Sequence, residues 1–150
     1  MKLNELLMLR ESKDKNLLGV TVNGKKITEK TKDEKWTGDF RCSRNYLTSL
    51  EHCPSEVGGY FSCPGNNLKN LHNIHKQLKK MDGAFYAYKN PIESSVLGLL
   101  LIPGCKEVRL DNKQVKEILN RYLPNTRGQR AVVECQSELI DADLEDFAHL

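Results

Sequence analysis

Residues 38–92 carry one ten-residue phrase three times, and this repetition restricts the architecture more than any other feature of the chain. Gly38–Leu47, Gly59–Leu68 and Gly83–Ile92 align without a gap as Gly-x-Phe-x-(Cys or Ala)-x-x-Asn-x-(Leu or Ile). Their starts lie 21 and then 24 residues apart. A period in the twenties describes units that cannot bury an apolar face alone and therefore stack. In each unit the Phe (40, 61, 85) and the small residue (Cys42, Cys63, Ala87) are two apart, so both point to the same side of a short strand. Asn45, Asn66 and Asn90 follow at the turn, and Leu47, Leu68 and Ile92 return inward. A fourth strand is predicted over Glu107–Leu110, with Val108 and Leu110 inward; Val108 falls 23 residues after Phe85 and keeps the period.

The flanks read differently. Leu3, Leu6, Leu7 and Arg10 predict a short first helix. Alternating apolar positions around Asn23-Gly24 predict a tight hairpin, and the run Lys25–Lys35 a solvated strand and loop. After the repeats the period becomes helical. Asp111 with Gln114 has the spacing of a capping box, and Val115, Ile118, Leu119 and Tyr122 share one helix face. Pro124 to Gly128 ends that helix. A second helix is predicted over about 129–140 and a short third over 143–149. The expectation is an α+β chain in one compact domain: a helix and hairpin cap at 1–35, a short solenoid with a small parallel sheet at 36–110, and a helical cap at 111–150.

At 150 residues the chain is long enough for a real core. The longest apolar run, Val96 to Pro103, is far too short to span a bilayer. Glu5, Arg10 and Glu11 interrupt any signal-peptide core, so the expected location is the cytoplasm, away from membranes. Net charge is only +3, and no segment is basic enough to mark a nucleic-acid footprint. Five cysteines, an odd number, argue against a disulfide framework. Cys42 and Cys63 share a repeat position with Ala87, which marks a small buried site.

The segment Phe40-x-Cys42-x-x-Asn45-x-Leu47 resembles the strand of a leucine-rich repeat, and its continuation through Leu50, Pro54 and Val57 resembles the short bacterial subclass. The resemblance covers roughly half of the chain. It implies a parallel sheet, an asparagine ladder at the turn and a ligand face on the strands. Phenylalanine replaces the first leucine, and the third repeat offers Ser94-Ser95-Val96 where a convex leucine is expected. The order of the whole chain, with its tail Tyr122-Leu-Pro-Asn and Leu139-Ile-Asp141, is similar to small proteins of large tailed bacteriophages. That likeness implies an accessory protein acting on a host component. Leu3-Asn-Glu5 and Leu9-Arg-Glu11 also match the Leu-x-Glu leader motif of some phage head proteins, which would make this an internal virion protein.

The candidate binding surface is the outward side of the predicted sheet. Arg41, Ser62, Tyr86 and Arg109 fall in one row; Ser43, Pro64, Tyr88 and Asp111 in the next. Tyr60 and Asp39 lie at the edge, with Arg44 and Lys89 close by. Tyrosine and arginine are the residues most enriched at binding hot spots. Arg41, Arg44, Tyr60, Tyr86, Tyr88, Lys89 and Arg109 are therefore the expected partner-binding residues, for a host protein. The competing class is a nucleic-acid binder in which the tyrosines stack bases. Exposed strand edges also allow pairing between copies, hence a homodimer. His52, Cys53, Cys63, His72 and His75 match no zinc spacing, so no metal is expected. No thiol has a catalytic signature around it and there is no phosphate-cradling glycine loop, so neither catalysis nor a cofactor is expected.

Overall fold

The computed structural model describes residues 14–123 and 129–150. The expected first helix, both Leu-x-Glu motifs and the loop from Pro124 to Gly128 lie outside the described residues.

The chain is α+β, with helices and small sheets that are mostly parallel. Strands β1 (Thr21–Val22) and β2 (Lys25–Lys26) form the predicted hairpin. Asn23 and Gly24 at its turn both have positive φ, 50° and 77°, as the turn that matches strand twist requires. Val22 and Ile27 from the hairpin, with Leu17 and Val20 before it, are buried.

Four strands, β4 (Phe40–Arg41), β6 (Phe61–Ser62), β7 (Gly83–Tyr86) and β8 (Cys105–Arg109), form a parallel sheet in that order. The register pairs Phe40 with Phe61, Phe61 with Phe85, and Phe85 with Val108. The three phenylalanines are fully buried. Their rings stack at 5.1 and 5.0 Å, and Trp36 meets Phe40 edge-on at 5.0 Å. Each phenyl thus covers the flat face of the one before it, contact that one unit could not supply alone.

A second parallel ladder runs along another side of each turn. Strand β3 (Lys35–Trp36) pairs with β5 (Glu56–Val57), and Glu56 bridges on to Lys80. The Met81 N–H then donates to Pro103 O at 3.0 Å. Successive turns of chain therefore lie on one another at two corners.

The asparagines close the third corner. Asn66 is buried; its Oδ1 accepts the N–H groups of Asn45 (2.8 Å) and Leu47 (3.1 Å). Its Nδ2 donates to Cys42 O (3.0 Å) and Cys63 O (2.9 Å). Asn90 repeats this one turn later, accepting from Leu68 N–H and donating to Cys63 O and Ala87 O. Buried turn backbone needs such partners because no strand reaches it.

Where the third unit has Ser95 in place of Leu50 and Leu71, a 3-10 turn at Leu97–Leu101 fills the space. Val96, Leu97, Leu99 and Leu100 are buried there. Behind the second unit lies α1 (Ile74–Gln77).

Helices α2 (Lys113–Tyr122) and α3 (Gln129–Asp141) follow the sheet. Val115, Ile118 and Leu119 of α2 and Cys135 and Leu139 of α3 are buried. Two expectations are corrected here. The cap of α2 is Asn112, whose Oδ1 accepts the Val115 N–H at 3.0 Å. Asp111 instead turns back to accept the Lys89 N–H at 3.0 Å. The predicted helix over 143–149 is only a 3-10 turn, Glu145–Phe147. Asp143 has φ +60°, and the carbonyls of Asp146, Phe147 and His149 accept from Ser95, Val96 and Leu97. The tail is laid along the third unit, and those carbonyls are taken before a helix can use them.

Candidate functional site

Alternation along β4, β6, β7 and β8 sends every second side chain away from the phenylalanine stack. The register sets Arg41 beside Ser62, Ser62 beside Tyr86, and Tyr86 beside Arg109. This is the row the sequence predicts.

The row is bound into a network. The Arg41 Nε–H donates to the Tyr60 hydroxyl, and the guanidinium lies over the Tyr60 ring at 5.2 Å. Tyr60 meets Tyr86 edge-to-face at 5.5 Å and 88°. Tyr86 meets Tyr88 the same way at 6.5 Å. Tyr60 and Tyr86 are half-buried, and Tyr88 is 39% exposed. The phenols thus pack against one another and remain partly open to solvent. Edge-to-face pairs of this kind hold rings in place and contribute about 0.5–1.5 kcal/mol each beyond area burial.

The cations at the two ends are balanced. Asp39 accepts the Tyr60 N–H at 2.9 Å and reaches Arg41 at 4.0 Å. Arg109 Nε pairs with Glu107 at 2.9 Å. Both pairs are well exposed, so each adds little to stability. Glu107 was not singled out from the sequence. Its position two residues before Arg109 on the same strand face is the signal that would have found it.

Arg44 and Lys89 are exposed but stand outside the rows. They occupy the residue after Ser43 and Tyr88, with φ of 57° and 56°. Gly65 holds the same place in the middle unit at 69°. This turn needs the left-handed conformation in every unit, and only the middle one uses glycine. Arg44, Lys89 and Gly65 point their N–H groups at Pro64 O, Asp111 Oδ1 and Tyr88 O. Arg44 and Lys89 thus form the rim of the row and are placed by backbone demands.

The sulfur and imidazole groups are dispersed or internal. All five cysteines are buried and free. Burial pushes the thiols of Cys53, Cys105 and Cys135 up to about 12 and raises Cys42 and Cys63 as well. A thiol held protonated is a weak nucleophile and a weak metal ligand. His75 has its pKa lowered by burial and then by Lys76. Among the described residues no three His, Cys, Asp or Glu groups gather where they could hold a metal ion. A cleft of about 60 Å³ lies elsewhere, lined by Thr48, Ser49, Asn70, His72 and Gln77 among others. It has room for a few waters and includes none of the aromatic row. No helix among the described residues is long and apolar enough to cross a membrane.

Against known protein families, curated proteins and solved structures, the chain has no match.

Proposed function

We propose that this chain is a short leucine-rich-repeat-like stack that acts as a non-catalytic protein-binding module, engaging its partner through the linked side chains of Arg41, Tyr60, Tyr86 and Tyr88. The supporting observation is that cluster: aromatic groups in mutual contact, flanked by a stacked arginine, on the outward side of the parallel sheet. Ordering these side chains beforehand reduces what binding must spend on rotamer entropy. Tyr and Arg at the centre of a rigid surface are the composition of a hot spot. The near balance of Arg41, Arg44, Lys89 and Arg109 against Asp39, Glu107 and Asp111 favours a protein partner over a polyanion.

The likeness to small phage proteins supplies the partner class: a host enzyme or defence factor, blocked by occlusion. The test is retention of host protein from infected and uninfected bacterial lysate, with nuclease and at two salt concentrations. Tyr86→Ala with Tyr88→Ala is expected to keep the fold, at a cost of about 1–3 kcal/mol in stability. It should weaken partner retention by at least about tenfold. Unchanged retention would exclude this face. Binding that disappears with nuclease or steeply with salt would move the protein to the nucleic-acid class.

A further inference from the structure

Helix α3 buries one side, through Cys135 and Leu139. The opposite side carries Arg130, Val133, Ser137 and Ile140, spaced i, i+3, i+7, i+10, which is the seam of a paired helix. All four are exposed, and Val133 and Ile140 are 57% and 47% open, among the most exposed large apolar side chains described. The small Ser137 between them permits close approach of another helix.

The charges of α3 run against its own dipole. The first turn contains Arg130 and no acid; the last turn contains Asp141 and no base. An isolated helix favours the reverse order at both ends. Exposed Asp143 and Glu145 follow and add to the acidic end. Arg130 is held within α3 only by Glu134 at 3.2 Å, an exposed pair of small worth.

We propose that α3 pairs antiparallel with α3 of a second copy of this chain, about a two-fold axis beside Ser137. An antiparallel partner corrects the charge order of both helices at once. It sets the Arg130 end of each copy over the Asp141 and Asp143 end of the other. The same axis places Val133 of each copy against Ile140 of the other. This is the self-complementarity an isologous dimer requires. The seam is short, so the dimer belongs to the weak, concentration-dependent class. It is independent of the tyrosine row, which the sheet presents on a different element.

The test is sedimentation equilibrium on the full chain from about one micromolar to about one millimolar. The mass should rise toward twice that of the chain. Val133→Glu should move the midpoint by at least about tenfold. Arg130→Glu should weaken pairing, and adding Asp141→Arg should restore it. A second measurement uses the burial of every native cysteine. Ser137→Cys supplies an accessible thiol next to the axis and should form a covalent dimer on mild oxidation. Glu117→Cys, exposed on α2, should do so far more slowly. A constant monomer mass, a dimer indifferent to Val133→Glu, or equal cross-linking of the two cysteine variants would each overturn the proposal.

Discussion

Asn45, Asn66 and Asn90 occupy one position in three units, yet the structure loads them unequally. Asn66 serves four backbone groups from two units and is buried. Asn45 is half-exposed, and its amide donates to Ser43 O at 3.1 Å. It begins the ladder and has no earlier unit of this kind to serve. Asn66→Ala should therefore cost about 2–4 kcal/mol, because it strands several buried groups together. Asn45→Ala should cost under about 1 kcal/mol. Urea midpoints of the two variants measure the contrast; equal losses would mean that the ladder does not carry the turn. The sequence shows the three asparagines as equivalent. The difference comes from stacking order: Asn66 and Asn90 each reach back to the backbone of a preceding unit and are buried, whereas Asn45 has no such unit before it and stays part-exposed.

At the scale of elements, the last strand of a sheet needs its outward backbone groups answered. Here α2 answers them. Asn120 Oδ1 accepts the Val108 N–H at 2.8 Å, and Asn120 Nδ2 donates to Val108 O at 3.0 Å. The side-chain amide stands in for one residue of a neighbouring strand and closes the edge at that point. Asn120→Leu should destabilise by about 1–3 kcal/mol, since both Val108 groups lose their partner. It should also expose an edge on which copies can pair, read as concentration-dependent aggregation by light scattering. An unaltered melting midpoint would show that water replaces the amide. Periodicity placed α2 well, through Val115, Ile118 and Leu119. It could not show that Asn120 faces β8, because an asparagine on a helix usually meets solvent. The cap is hidden from the sequence for a related reason: Asp111 and Asn112 are both good caps, and only the hydrogen bond from the Lys89 N–H to Asp111 separates them.

At the scale of the molecule, five thiols sit in one continuous core. In the native state none should react with a disulfide reagent until the chain opens, and all five should react in denaturant. A fast-reacting thiol in native protein would contradict the burial. The same burial sets a pH limit. Cys53, Cys105 and Cys135 have folded-state values raised from near 9 to about 12. Below about 9 the thiol is neutral in both states, and stability is intact. Above that, the unfolded chain ionises while the folded chain holds its protons. The unfolded state then binds fewer protons, and stability falls with rising pH up to the folded values. Melting midpoints should drop between pH about 9 and about 12, and Cys135→Ala should soften that drop. A flat profile would mean that these thiols do not titrate on unfolding.

The sequence by itself determined the unit, its register and its outward row. Gly-x-Phe-x-Cys-x-x-Asn is a local pattern, and identical side chains stack best in register, so Phe40, Phe61, Phe85 and Val108 had one good alignment. The hairpin at Asn23-Gly24 was equally local, because positive φ at two successive residues is a demand few other residues meet. Only the tertiary structure decided the rest. It turned Asp111 away from the helix it precedes, laid residues 143–149 along the third unit, and used Leu97–Leu101 to fill the space left by Ser95. It also joined Arg41, Tyr60, Tyr86 and Tyr88 into one network. Each of these outcomes depends on which distant group competes for a carbonyl, an N–H or a void, and that competition is absent from any window of sequence.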